Sequence, residues 1–412
     1  MKAVRPLIEI EEAKTRIRSR FAARPVKTVR VPLFEAMNRY LAGDLVADQD
    51  MPPFDKSTVD GYAVRSESLS GFFKIGQSDV VAIPQLGEVF MGAAAEVPDH
   101  AADAGCVYIP TGGFMPEGFD AVVKIEETKA EGETIYFSAP AKTGQNVLKR
   151  GEDVREGEHI IKKGRRLTRY DLGVLGMLGC NEVEVIEPPS LSIATTGDEL
   201  VDIDALLSPG KIRDINGTVL AGIAREWGLG QVRLTRLEDT YEAVEAYIRS
   251  EIHLCDILIT SGGSSVGKKD YIPRVVESLS DEGLLFHGMN IKPGKPIGVA
   301  SVQGKPVVLL PGNPVSTVVG FILLVGELVS QFGLDIEKPC CYAALTEDVG
   351  PEDGRTTFHM VRLRDAGDHL EAQPLKGKSG LITYIANADG YVITELDAGS
   401  SKAGTQAKVF LL

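Results

Sequence analysis

Three acidic residues stand where they could jointly hold a divalent cation. Glu199 lies in Thr195-Thr196-Gly197-Asp198-Glu199-Leu200, Asp239 ends Glu238-Asp239, and Asp270 follows Thr260-Ser261-Gly262-Gly263-Ser264-Ser265-Val266-Gly267. Each segment follows an apolar run that reads as a strand. Ligands of open α/β sheets bind beyond the carboxyl ends of the strands. Three carboxylates around one point repel unless a cation sits between them, and hard oxygens that leave room for water and phosphate suit Mg²⁺. Singly, each acid is equally what a helix cap or a solvated turn uses; their placement on successive strand ends carries the metal reading.

Other segments add anion-binding chemistry. In the Ser261 to Gly267 loop, Ser261, Gly262, Gly263, Ser264 and Gly267 leave backbone N–H groups free to approach phosphate oxygens, ahead of a helix N-terminus. The loop lacks the Lys-Ser/Thr ending of a Walker A motif. Lys292-Pro293-Gly294-Lys295-Pro296 sets Lys292 and Lys295 on a turn stiffened by proline, each a point charge for an oxyanion. Leu310-Pro311-Gly312-Asn313-Pro314-Val315-Ser316 is a further strand-end turn. Met51 to Val64, Pro110-Thr111-Gly112-Gly113 and Lys149-Arg150-Gly151-Glu152-Asp153 are polar clusters bracketed by apolar residues.

The elements that must position these residues are legible in the patterning. Residues up to about 50 read as helix, with Ile8, Ala13, Ile17 and Phe21 near helical spacing. From Met51 the texture is short strands: Gly71 to Ile75, Val80 to Ile83, Cys106 to Ile109, Ala121 to Ile125 and Thr134 to Phe137. Beyond Pro188-Pro189, strands at Leu191–Ala194, Gln231–Leu237, Asp256–Thr260, Leu284–His287, Ile297–Ala300 and Val307–Leu310 are interleaved with helices. The helices are Asn216–Trp227, Tyr241–His253, Tyr271–Leu279 and Pro314–Gln331. That alternation predicts a central three-layer α/β domain with a mostly parallel sheet. After Lys338-Pro339, short strands return and predict a small all-β module. The expected class is thus multidomain α/β plus all-β.

Composition bounds the function. The chain has 412 residues, 43% of them hydrophobic and 25% charged, which suits several globular cores. Lys and Arg total 44 against 58 Asp and Glu, a net charge of −14. That surplus argues against general affinity for nucleic acid or an anionic membrane, but leaves room for a local basic pocket. The longest apolar run, Val318 to Val325, falls short of the roughly 20 residues a membrane span needs. The cysteines Cys106, Cys180, Cys255, Cys340 and Cys341 are odd in number and form no CxxC motif, so a reducing cytoplasm is expected.

Taken together, these segments resemble the molybdopterin molybdenumtransferase family, the MoeA proteins and the gephyrin E-domain. The resemblance rests on PPFDKSTVDGYAV, IPTGG followed by PEGFDAVV, GQNVLKRGEDV, TTGDEL, SGGSSVGKKDY, IKPGKPIGVA, LPGNPVS and GRTTF, in the family's order along nearly the whole chain. It implies a discontinuous linking domain at 1–50 and 146–188 and a β-rich domain at 51–145. A molybdopterin-binding α/β domain of the molybdopterin-adenylyltransferase type at 189–337 and a C-terminal β barrel at 338–412 would follow. It also implies a homodimer, with each active site between the α/β and C-terminal domains of one subunit and the β domain of the other.

The implied reaction takes adenylylated molybdopterin and molybdate, cleaves the adenylate, and yields molybdenum cofactor and AMP. In that reading Glu199, Asp239 and Asp270 hold Mg²⁺, and Lys292 and Lys295 offset the charge of molybdate or the pterin phosphate. The resemblance also places Asp60, Thr111 and Asp153 across the dimer cleft. Arg355 and Ser379 would help hold molybdate, and Pro311 and Pro314 would shape the cleft wall. Two segments depart from the family pattern: Leu148 replaces a basic residue upstream of Gly151-Glu152-Asp153, and the glycine loop carries Ser264 and the basic pair Lys268-Lys269. Molybdopterin-adenylyltransferase and molybdoenzyme apoproteins are the conceivable partners. Two other readings remain: adenylyl transfer to molybdopterin, which ATP and molybdopterin alone would reveal, and a non-catalytic cofactor carrier or scaffold, which would need none of these acids and lysines.

Overall fold

The computed structural model describes residues 6–22, 26–76, 79–93, 101–263 and 271–412. The chain divides into two compact units. One comprises Met1–Gly43, Lys163–Gly173 and Asn181–Leu412, the other Asp44–Lys162 and Val174–Cys180.

At the centre of the first unit is a six-stranded sheet. Its strands are β1 (Leu191–Thr196), β2 (Val232–Leu237), β3 (Ile257–Ser261), β4 (Leu284–His287), β5 (Gly298–Val302) and β6 (Lys305–Leu310), in the spatial order β2-β1-β3-β6-β5-β4. The first four in that order run parallel, with Leu191 opposite both Val232 and Ile257 and Leu258 opposite Val307. Only β5 runs against them, because β5 and β6 form a tight hairpin, and β4 pairs antiparallel with β5. Val302 pairs with Lys305, and Gln303 and Gly304 between them take φ of 52° and 73°, the left-handed pair that a two-residue hairpin turn requires.

Every residue of β1, β3 and β5 is buried, as expected when helices cover both faces of a sheet. Alternate residues feed two cores. Ile193, Ile259, Val308 and Leu310 pack with Leu220 and Ala224 of α2 (Asn216–Glu226), whereas Ala194, Leu258, Val307 and Leu309 pack on the opposite face. There they meet Val244 and Ile248 of α3 (Tyr241–Glu251) and Val275 and Val276 of α4 (Ile272–Leu279). The run Pro314–Ser330 is helical throughout, α5 (Pro314–Gly320) continuing through a π-turn at Phe321–Val325. Helix α1 (Ile10–Phe21) docks Ala13, Ile17 and Phe21 into the first core.

The C-terminal strands β7 (Cys340–Leu345), β8 (Thr356–Asp365), β9 (Leu370–Pro374), β10 (Gly390–Thr394) and β11 (Gln406–Leu411) close on themselves. They pair in the cycle β8-β9-β7-β11-β10-β8, a five-stranded barrel around Val361, Ala372, Val392 and Val409. The short strand Ile291–Lys292 adds to β8 in parallel, with Lys292 opposite Thr357.

The second unit is built on a mixed six-stranded sheet in the order Ala121–Lys124, Gly61–Val64, Cys106–Ile109, Val81–Glu88, Thr134–Phe137 and Thr128–Glu131. Tyr62, Ile135 and Phe137 fill one of its cores, and Val107, Ile109 and Val122 another. All five cysteines are free thiols. Among the described residues no helix is long and apolar enough to cross a membrane.

Two local expectations are corrected. The helix expected up to about residue 50 ends at Phe21, and Thr28–Pro32 is a strand paired antiparallel with Glu182–Ile186. Thr28, Val29 and Val31 are β-branched, and Pro32 cannot continue a helix. Gly71 to Ile75, expected as a strand, belongs to the helix Ser66–Gly76. Its first turn is held by Asp120, which accepts from the Ser66 N–H at 2.7 Å and the Ser66 hydroxyl at 2.8 Å. A distant carboxylate thus decided what the local apolar pair Phe72-Phe73 left ambiguous.

Candidate active site

The strand ends of the α/β sheet open onto a cavity of about 690 Å³, within the size range of small-ligand sites. Its lining includes Thr195 and Thr196 at the end of β1 with Gly197 and Glu199 beyond it, Asp239 after β2, Ser261 at the end of β3 with Gly262 and Gly263 beyond it, and Pro311, Gly312, Asn313, Pro314 and Ser316 after β6. Of the residues singled out in the sequence, Glu199, Asp239, Ser261, Gly262, Gly263, Pro311 and Pro314 therefore share one cavity. Ser264, Gly267 and Asp270, with Lys268 and Lys269, lie outside the described residues.

Glycine is what lets these loops converge. At Gly262, φ is 109°, and a Cβ would stand 2.2 Å from the Thr196 carbonyl oxygen. The β3 loop consequently passes directly over the end of β1. The Thr196 hydroxyl donates to Asp239 Oδ1 at 2.9 Å, fixing one carboxylate.

Residues not anticipated from the sequence complete the wall. Asp214 accepts from the Thr195 hydroxyl and from the Gly217 N–H. Asn216 Nδ2 donates to Ser261 Oγ at 3.0 Å and to the Gly312 carbonyl at 2.9 Å, while Ser261 Oγ donates to the Pro311 carbonyl at 3.1 Å. Asn216 therefore ties the β3 and β6 loops together at the start of α2. The Asp-x-Asn-Gly run just before a helix is the kind of N-terminal polar cluster that could have flagged them. The lining holds the carboxylates of Glu199, Asp214 and Asp239 against the guanidinium of Arg213. A phosphate-bearing ligand there meets net repulsion, which a divalent cation offsets, and the donors are the hard oxygens such a cation prefers. Among the described residues no three His, Cys, Asp or Glu side chains form a ready metal cluster.

Lys292, Lys295, Arg355 and Ser379 are not in the lining of this cavity. Ser379 is nonetheless attached to it: Asn313 Nδ2 donates to its hydroxyl at 3.2 Å, and its carbonyl accepts from the Val315 N–H at 3.0 Å. Lys292 Nζ is bridged to Glu352 Oε2 at 2.7 Å and Asp353 Oδ2 at 2.9 Å. These two bonds raise its pKa above the ordinary lysine value. Lys295 is exposed and makes no ion pair with a described residue.

In the second unit, Asp60 and Thr111 come together. Asp60 Oδ1 accepts from the Thr111 N–H at 2.6 Å and hydroxyl at 2.8 Å, holding the carboxyl below its usual range. Asp153 is exposed; its backbone N–H donates to the Met51 carbonyl at 3.0 Å. Beside Leu148, the cations are engaged: Lys149 pairs with Asp55 at 2.8 Å and Arg150 with Asp50 at 2.8 Å.

The α/β sheet with its strand-end cavity, followed by a closed barrel, defines a multidomain architecture of α/β and all-β parts. Three family models match in succession: the MoeA N-terminal region (domain I and II) over residues 8–179, a probable molybdopterin binding domain over 192–331, and the MoeA C-terminal region (domain IV) over 342–412. The molybdopterin molybdenumtransferase of Staphylococcus aureus (strain COL) is 32% identical over 98% of this chain and 95% of its own length. That of Staphylococcus epidermidis (strain ATCC 12228 / FDA PCI 1200) is 30% identical over the same shares, 98% and 95%. The MoeA protein of Pyrococcus horikoshii OT3 superposes with a TM-score of 0.83 at 29% identity, covering 99% of this chain and 100% of its own. The chain belongs to the MoeA, or molybdopterin molybdenumtransferase, family.

Proposed function

We propose that this chain inserts molybdenum from molybdate into adenylylated molybdopterin, cleaving the adenylate to give molybdenum cofactor and AMP. The observation that carries the reading is the cavity at the strand ends. Two strand-end carboxylates, a glycine loop and the Pro311–Pro314 turn meet there, in a chain whose relatives along its whole length bear that enzyme's name.

Glu199 and Asp239, joined by Asp270, would hold Mg²⁺, which supplies charge stabilisation at the pyrophosphate-like linkage and on the departing AMP. Thr196 orients Asp239 for that task. Backbone N–H groups of the Ser261–Gly267 loop receive phosphate, Pro311 and Pro314 wall the cleft, and Lys292, Lys295, Arg355 and Ser379 receive the oxyanion. Asp60, Thr111 and Asp153 contribute to the site from the other copy of a homodimer. The free thiols and the anionic nucleotide-tagged substrate suit a cytoplasmic enzyme.

The test is AMP release by the purified chain given adenylylated molybdopterin, with molybdate or tungstate, with and without Mg²⁺. Release that needs both oxyanion and Mg²⁺ is expected, and Asp239→Asn should lower kcat about 100- to 1,000-fold, the usual effect of removing a transition-state charge contact. Adenylylation of molybdopterin from ATP, without AMP release from the adenylylated pterin, would instead make the chain an adenylyltransferase.

A further inference from the structure

The turn Glu352–Arg355 carries three charges that bear on one lysine. The Arg355 N–H donates to the Glu352 carbonyl at 3.1 Å. The Glu352 N–H donates to the Thr357 hydroxyl at 2.9 Å, and that hydroxyl donates to the Arg355 carbonyl at 3.0 Å. Thr357 is in turn opposite Lys292, on the strand that Lys292 extends. Asp353 adopts a left-handed φ of 52°, which aspartate tolerates better than most residues. The turn is thus fixed at both ends to the barrel, and its two carboxylates reach Lys292 Nζ at 2.7 and 2.9 Å. Arg355 lies in the same turn. Lys292, Arg355, Glu352 and Asp353 together sum to no net charge.

We propose that Glu352 and Asp353 are resident counter-ions of Lys292 that an incoming oxyanion must displace, so that they set the affinity of the oxyanion site. The proposal rests on the reading of Lys292 as an oxyanion contact. An incoming anion must replace both carboxylates on Nζ before it gains the lysine. The lysine and both carboxylates are 35%, 51% and 60% exposed, and exposed pairs are weak, each shifting an equilibrium by at most about fivefold. The barrier is therefore low enough for molybdate, a tetrahedral dianion, to cross. A tetrahedral monoanion such as perrhenate gains about half the Coulomb attraction from Lys292 and Arg355, and displacing the carboxylates costs it the same as it costs molybdate. Glu352 and Asp353 touch no substrate in this scheme; they are positioning residues.

Three proteins test it: the wild type, Lys292→Gln, and the double variant Glu352→Gln with Asp353→Asn. Each is measured for the KM of molybdate in AMP release and for inhibition by perrhenate, with circular dichroism to verify folding. Lys292→Gln should raise the molybdate KM about tenfold or more. The double variant should lower it about five- to twentyfold, with the change on KM rather than kcat, and the inhibition constant of perrhenate should fall by a like factor. If Lys292→Gln raises KM while the double variant leaves it unchanged or higher, the counter-ion proposal fails and Lys292 remains an anion contact. If Lys292→Gln leaves KM unaltered, the reading of Lys292 fails and the proposal falls with it.

Discussion

At the scale of single residues, hydrogen-bond donors aimed at carboxylates set their charge. Thr111 points both its N–H and its hydroxyl at Asp60 Oδ1, and these bonds hold the Asp60 carboxyl below the ordinary range. A pKa depressed by folding means that the bonds stabilise the fold above the unfolded value of about 3.9. The contribution is lost as pH falls through the lowered folded value. Thr111→Val keeps the N–H but removes the hydroxyl. Its expected effect is an upward movement of the Asp60 titration toward the ordinary carboxylate value, read by carboxyl carbon NMR. An unmoved midpoint would mean that the N–H alone sets it. That Glu199 and Asp239 stand at strand ends was readable from their places after apolar runs. The pairing of Asp60 with Thr111 was not, because 51 positions separate the partners and only strand pairing between Gly61 and Ile109 brings them side by side.

At the scale of elements, the cavity is shaped where the β3 loop crosses the end of β1 more closely than a side chain permits. Gly262 and Gly263 both have positive φ, of 109° and 51°, but their surroundings differ. A methyl group at Gly262 collides with the Thr196 backbone. At Gly263 the nearest atom is the Ile272 side chain at 3.2 Å, and a φ near 51° lies in the left-handed region that other residues enter at modest cost. Gly262→Ala should therefore lose about 1–3 kcal/mol from backbone strain, with the clash adding to it, whereas Gly263→Ala should lose about 1 kcal/mol. Urea unfolding of the two variants gives the order, and equal losses would contradict it. Asn216→Ala removes the tie between the β3 and β6 loops. A lower kcat/KM for adenylylated pterin in a protein that melts within a few degrees of wild type is expected.

At the scale of the whole molecule, the net charge of −14 is carried by a chain whose proposed substrates are anions. In the proposed reading, binding comes from local groups, namely Arg355, the two lysines of the Lys292–Lys295 turn and a divalent cation, and not from the mean field. The proposed homodimer gives a direct test. Light scattering should return about twice the chain mass of 44.3 kDa. Mixed dimers of Asp60→Ala and Asp239→Ala chains should regain activity that neither parent has, since one of the two sites then draws both acids intact. A monomer at working concentration, or inactive mixed dimers, would refute the shared site.

The sequence by itself determined the order of strands and helices in the α/β region, because apolar periodicity and the Gly, Pro and Ser punctuation are local signals that chain packing did not overrule. It also determined the family, through motifs kept in order from residue 8 to 412. Tertiary structure decided that Ser66–Gly76 is a helix and which strand the β-branched run Thr28–Pro32 pairs with, since each depends on a partner more than 50 residues away. It alone brought Asp214 and Asn216 to the cavity and set Glu352 and Asp353 upon Lys292. Those contacts are made between segments remote in sequence, and the free energy that selects them comes from strand pairing and core burial rather than from any preference of the residues themselves.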